Sequence, residues 1–255
     1  MNVDWRPFLL PVKDQGDCGS CVPHGINKTW EGEIRVKAGD KALDIDLSER
    51  HLFSCCGGTC DSGTTMEAAL NQALTGVALE QDCLYDAKDH GCGEGLAEDW
   101  WKRGKKLASW LTVSSIDEIK KRIEEGPLAA TMAVHQSFMS YKGGVYHNLG
   151  ILDPIVGYHC ICLAAKNEAE DYCVIRNSWT EDWGEKGDCR MKWSELDDAA
   201  FKVVPSDEPI PEPEPSPSPC PYSMAVVKLP GGRWFLRNYR RLRKALFGIE
   251  FGTVP

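Results

Sequence analysis

With 255 residues, 42% of them hydrophobic and 26% charged, the chain has the make-up of a globular protein with a sizeable core, and its length suggests one or two domains. No apolar run approaches the roughly 18 residues of a membrane-spanning helix, and a net charge of −9 argues against general or specific affinity for nucleic acid. Twelve cysteines favour an oxidising compartment, whereas the opening "MNVDWRPFLLPVKDQG" has neither the apolar core nor the basic start of a signal peptide. The expectation is therefore a cytosolic protein or, better matched to the cysteines, one whose leader lies outside this chain.

In chain order, "CVPHGINKTWEGEIRVKAG" sets Val22, Ile26, Trp30, Ile34 and Val36 near one face of a helix that stops before Gly39. "LSERHLFSC" predicts a short helix capped by Ser48, and "TTMEAALNQALTG" another that ends at Gly76. "SSIDEIKKRIEEGP" reads as a capped, charged helix with Ile116, Ile119 and Ile123 at helical spacing, closed by Gly126-Pro127. Five short segments bounded by turn residues then read as strands: "LAATMAV", "GVYHNL", "YHCICLAA", "DYCVIRNSW" and "GDCRMKW". A helical half beside a strand-rich half predicts an α+β body over residues 1–204 with a cleft between the halves. Residues 205–221 hold eight prolines among acids and serines, the composition of an extended spacer roughly 50 Å long. Residues 222–255 carry seven Lys or Arg against one Glu, with Phe235, Tyr239, Leu242 and Leu246 spaced as one helix face; a basic amphipathic helix of this kind suits an anionic surface.

The stretch "PVKDQGDCGSCVPHG" raises the functional question, because Cys18 and Cys21 sit three apart with His24 just beyond. A zinc site needs a second close pair of ligands, and none accompanies this one. A thioredoxin-like redox pair belongs in a βαβ unit, and no such alternation follows. The remaining reading is a nucleophile at a helix start, where free N–H groups and the helix dipole favour a thiolate. Such a thiol needs an imidazole and a group to orient it. His24, on the same helix, reads as packed. His159 in "GYHCICL" is the better base, and Asn177 in "IRNSW" comes beside it if the two strands pair as a hairpin.

Taken in order, "VDWR", "PVKDQGDCGSC", "LSERHLFSC", "YKGGVY" and "NSWTEDWGEKG" resemble the mature domain of a papain-like cysteine peptidase over about residues 3–195. A C-G-S-C signature followed by distant His and Asn is a recognised mark of that family. The resemblance implies a helical left domain and a β-barrel-like right domain, with the site in the cleft between them. It makes Cys21 the nucleophile, His159 its partner, Asn177 the group that orients the ring and Trp179 the cover over that hydrogen bond. Gln15 and the Cys21 N–H become oxyanion donors, and Cys18–Cys60 and Cys55–Cys92 become disulfides, with Cys56 and Cys83 left as candidates for a third. It implies no metal and no cofactor. The expected partners are peptide or protein substrates, with propeptide or cystatin-like inhibitors, on a monomer that is secreted or endolysosomal.

Several residues depart from the family pattern. Val22 stands where an aromatic residue is usual, and Pro23-His24 replaces a small-aromatic pair. The substrate-binding turn reads "CDSG", so Gly63 survives to pair with a peptide backbone while Ser62 adds a side chain at the rim. Tyr158 precedes the histidine and is expected to crowd the second subsite with Thr64, Thr65 and Thr131, and Thr180 replaces a glycine after Trp179. No histidine-rich insertion follows Cys60, which favours endopeptidase over exopeptidase action. The alternative functions are an inactive papain-like scaffold that binds peptides and an acyl transferase using the same thioester.

Overall fold

The computed structural model describes residues 2–197 and 199–213, together with the backbone of two short strands further on. Two compact units divide the chain, Met1–Glu212 and Pro213–Pro255. In the second unit, Val227–Lys228 pairs antiparallel with Trp234–Phe235. These two residues open the stretch read as an amphipathic helix. The rest of that stretch, and the spacer beyond residue 213, lie outside the described residues.

The first unit begins with β1 (Val3–Asp4) and three helices, α1 (Cys21–Ala38), α2 (Glu49–Cys55) and α3 (Met66–Thr75). Their ends are where the sequence places them. Gly39 closes α1 at φ +64°, in the left-handed region that glycine enters without strain. Ser48 Oγ accepts from the His51 N–H at 3.0 Å, and Thr65 Oγ1 from the Ala68 N–H at 3.2 Å. After β2 (Leu107–Val113) comes α4 (Ile116–Arg122), capped by Ser115 Oγ on the Glu118 N–H at 3.2 Å. The strands β3 (Leu128–His135), β4 (Val145–Tyr146), β5 (Ile155–Asn167), β6 (Tyr172–Arg176), β7 (Asp188–Lys192) and β8 (Ala200–Pro205) follow.

The eight strands form one sheet in the order β2-β8-β3-β5-β6-β7-β4, with β1 added to β5 and β4–β7 the parallel pair. β1, β2 and β8 are absent from the sequence reading. Residues 205–212, read as the start of the spacer, belong to this unit: Pro205 ends β8, and Ile210 is buried with its side chain against Gly76 and Gly104.

Alternation along β3 and β5 explains how one sheet serves two cores. Leu128, Ala130, Met132, Ile161 and Leu163 enter the right-hand core with Phe138, Ile175 and Met191. Ala129 and Cys160 face the other way, into the helical core of Ile26, Trp30, Leu47, Leu52 and Leu70. The sheet and α1 touch closely at Gly25, where a Cβ would stand 2.5 Å from Cys160 Sγ. That contact sets the first turn of α1 directly against the start of the β5 core segment.

Candidate active site

Cys21 is the first residue of α1, partly buried at the helix start. Burial pushes its thiol pKa up, while the backbone N–H groups of Cys160, Val22 and Cys21 itself pull it down. Its neighbour Cys18 is bridged to Cys60, and Cys55 to Cys92. With its sulfur in a disulfide, Cys18 is no metal ligand, and the two cysteines of the opening motif part into a staple and a free thiol. The third bridge does not form: Cys56 and Cys83 are both free. Cys55 and Cys56 are consecutive at a helix end and so point about 100° apart. Cys56 Sγ turns to Thr64 Oγ1 and the Phe53 carbonyl, each at 3.3 Å.

His159 reaches the same place from β5. Its ring is 5% exposed, and β5 pairs antiparallel with β6 through Cys162↔Arg176, the hairpin the sequence predicts. Asn177 therefore follows β6 two register positions from His159, on the adjoining strand, and its Oδ1 lies 2.7 Å from His159 Nε2. An amide oxygen only accepts, so Nε2 carries the hydrogen and Nδ1 is left to exchange protons. Burial pushes the His159 pKa down to about 4, against the pull of the Asn177 bond. Trp179 lies against the imidazole with ring centres 4.8 Å apart and planes 30° apart, and is itself wedged against Phe138 and Trp183.

Cys21 and His159 line one cleft of about 450 Å³ together with Ser62, Gly63, Thr64, Thr131 and Tyr158. Val22 and Met66 add apolar surface to it, unforeseen from the sequence. Tyr158 is 77% exposed, so it stands at the rim and leaves the cleft open. Gly63 has φ +69°, and its backbone is already engaged. Its N–H donates to the Thr59 carbonyl at 2.7 Å and its carbonyl accepts from the Thr59 N–H at 3.3 Å.

Gln15, Asn177 and Trp179 lie behind the cleft lining. The Gln15 amide is held at both ends: Nε2 donates to the Cys18 carbonyl at 3.0 Å, and Oε1 accepts from Ser178 Oγ at 2.6 Å. Nε2 keeps a second hydrogen for another acceptor. Ser178 also donates its N–H to Asn177 Oδ1 at 2.8 Å, so this one residue braces both neighbours. Tyr85 donates its hydroxyl to the Gln15 carbonyl at 2.7 Å. Sequence reasoning missed both. Ser178 had a signal, a hydroxyl inside the "NSW" motif; Tyr85, 70 positions from its partner, had none.

Known proteins resemble this chain in sequence and in fold. A cysteine proteinase of Entamoeba histolytica is 28% identical over 201 residues, covering 74% of this chain and 62% of that protein. A digestive cysteine proteinase of Homarus americanus is 29% identical over 203 residues, covering 74% and 61%. The chain thus spans about three fifths of the length of these relatives. Among solved structures, a Carica candamarcensis cysteine protease bound to E-64 superposes with a TM-score of 0.66 at 23% identity, over 80% of this chain and 97% of that one. Bromelain from Ananas comosus, also with E64, gives 0.66 at 21%, over 80% and 98%. These two likenesses establish the papain-like α+β fold. The papain family cysteine protease pattern matches residues 1–202, and the chain belongs to that family.

Proposed function

We propose that this protein is a cysteine endopeptidase. The observation that carries the reading is the His159 Nε2–Asn177 Oδ1 bond, which leaves Nδ1 as the proton-exchanging atom of a ring that shares its cleft with the Cys21 thiol. Moving the Cys21 proton to His159 Nδ1 yields a thiolate–imidazolium pair of zero net charge, each partner stabilising the other where burial alone disfavours both charges. The thiolate attacks the carbonyl carbon of a peptide bond and its electrons move onto oxygen. Gln15 Nε2 and the Cys21 N–H stabilise that oxyanion, and loss of one such donor typically adds about 2.7–4 kcal/mol to the barrier. As the C–N bond breaks, His159 gives its proton to the leaving amine and a thioester remains. Water, deprotonated by His159, then displaces Cys21 and releases the acid.

Gly63, Ser62, Thr64, Thr131 and Tyr158 form the substrate-binding walls. Because the Gly63 N–H is committed to Thr59, a peptide strand pairs there through the second lone pair of the Gly63 carbonyl, or opens the turn. The absence of a histidine-rich insertion after Cys60 supports cleavage within chains. Peptide and protein substrates are the partners of the cleft, and inhibitors of the propeptide or cystatin kind would compete for it. The two disulfides support a secreted or endolysosomal location. The anionic-surface role of the basic tail lies outside the described residues.

The test combines labelling by a peptidyl epoxide such as E-64, located by mass spectrometry, with turnover of a fluorogenic peptide. We expect label on Cys21 and turnover that Cys21→Ala reduces by about 10⁴-fold or more. A folded wild-type protein that takes no label and cleaves nothing would replace this reading with a peptide-binding scaffold. Transfer of the acyl group to an added amine in place of water would identify an acyl transferase.

A further inference from the structure

His24 stands where the first turn of α1 meets the sheet, 3% exposed, its ring edge-on to Tyr85 at 4.8 Å. Its Nδ1 lies 2.9 Å from the Ser20 carbonyl. A carbonyl can only accept, so Nδ1 carries the hydrogen and Nε2 presents a bare lone pair. That Nε2 is buried and, among the described residues, has no partner. Asn177 is the mirror case. Its Oδ1 already takes two donors, from His159 and Ser178, while its Nδ2 is buried with no partner. His24 and Asn177 line the same small internal void, of about 10 Å³, room for one water molecule. An unpaired acceptor and an unpaired donor thus belong to two residues that line one water-sized space, and buried polar groups are rarely left unmatched.

We propose that one internal water bridges Asn177 Nδ2 to His24 Nε2, and that His24 is thereby a positioning residue for His159, acting through Asn177. This rests on the catalytic reading of His159 and Asn177. The water accepts from Nδ2 and donates to Nε2, which fixes the far end of the amide whose near end holds the His159 ring. The role requires a neutral His24, and the surroundings keep it so. Burial pushes its pKa down and the Lys13 and Lys28 ammonium groups add to that, against the opposing pull of the Glu49 carboxylate. Arg176 and both lysines also line the void. Arg176 is paired with Asp188, and Lys13 and Lys28 with Glu49 and Glu31. A fixed Asn177 favours the protonated form of His159, since its oxygen accepts from Nε2–H. A loosened one lets the imidazolium lose its proton at lower pH.

The experiment uses two substitutions in the full chain. In His24→Gln the amide oxygen reaches the position of Nε2; in His24→Asn the shorter side chain reaches only that of Nδ1. The readouts are the pH dependence of kcat/KM on a fluorogenic peptide, the pH dependence of Cys21 alkylation by iodoacetamide, and a high-resolution crystal structure of the wild type. We expect His24→Asn to move the alkaline limb of both profiles down by about half a pH unit, a threefold change in the proton equilibrium, and to lower kcat more than it raises KM. His24→Gln restores the limb, and the crystal shows a water within hydrogen-bond reach of both atoms. An unmoved limb in folded His24→Asn, an equal shift in His24→Gln, or a crystal without that water overturns the proposal. If His24→Asn does not fold, the wild-type water and the His24→Gln limb decide it. A wild type that cleaves nothing is a failure of the peptidase reading, and the crystallographic water still decides the bridge.

Discussion

On the helical side of the cleft, the part-buried Lys13 holds its ammonium 2.7 Å from Glu49 and 2.5 Å from Asp46, and the fully buried Glu31 lies 3.8 Å away. Both disulfides are on this side as well. On the sheet side, the core from Val113 to Ala200 is hydrocarbon and aromatic rings, with Cys173 and Cys189 buried in it as free thiols. The nucleophile is therefore presented by a half that depends on paired charges and crosslinks, and the base by a half that depends on apolar packing. Acid, reductant and loss of a single charge should weaken the first before the second.

The largest test of that contrast is Lys13→Met. Burial alone would push Glu49 up, but Lys13, the largest of the opposing influences, together with the other cationic groups around it holds the carboxylate low. Without the lysine the buried Glu49 loses its ion-pair partner, while Glu31 keeps Lys28 at 3.6 Å, and breaking such a buried pair typically costs about 3–5 kcal/mol. Urea unfolding should show this loss, whereas Lys120→Met, breaking the exposed pair with Asp171 on the sheet side, should cost under about 1 kcal/mol. Equal losses would mean that the helical half gains no special dependence from its internal ions.

Next in size is the Cys18–Cys60 bridge, which ties the loop before α1 to the substrate turn across 42 positions. Changing both cysteines to serine should lower stability by about 2–4 kcal/mol. A reductant should lower the melting temperature of the wild type and leave unmoved a variant with Cys18, Cys55, Cys60 and Cys92 all changed to serine. Any further fall in that variant would place a bridge among the remaining cysteines and erase the contrast between the halves.

The sequence made the helices legible because their ends are local: Ser48, Thr65, Ser115 and Gly39 each cap within four residues. It also made the β5–β6 hairpin legible, and with it the meeting of His159 and Asn177. What it hid is long-range. β2 pairs β8 about ninety positions away, and only the two ends of β2 are buried, so no alternation marks it as a strand. Ser178 meets Gln15 across 163 positions. The buried ions hid for another reason: Lys13, Lys28, Glu31 and Glu49 read as surface by residue type, and only the assembled half reveals that they neutralise one another.

The helical half should also lose stability in acid, through His51. Its ring is 4% exposed and its Nδ1 accepts from the Ala78 N–H at 2.9 Å, which a neutral imidazole can do and a charged one cannot. Burial holds its pKa down to about 4. In the unfolded chain it titrates near 6.5, so the stability it provides is full above that pH and is lost as pH falls from 6.5 toward 4. Between pH 7.5 and 5 the loss should be about 2 kcal/mol. His51→Asn keeps an acceptor near Nδ1 without the titration, and its urea midpoint should be flatter over this range. An unchanged slope would assign the acid sensitivity to other groups.

The smallest effect belongs to the sheet half and has the opposite sign. Thr180, in the loop after β6, holds φ +63°, a left-handed conformation that costs a β-branched residue about 1–2 kcal/mol. Its N–H reaches the Lys13 carbonyl at 3.4 Å, so the strained turn is also a tie between the halves. Thr180→Gly would adopt the same backbone without strain, at the cost of a more flexible unfolded chain and of the hydrogen bond from the Asp182 N–H to Thr180 Oγ1 at 3.2 Å. The net expectation is a gain of about 0.5–1 kcal/mol, read as a higher urea midpoint with the slope of the transition unchanged. A loss instead would mean that the hydroxyl's bond to Asp182 outweighs the strain. The threonine would then be a local brace for Trp179, and so for the face of the His159 ring that Trp179 covers.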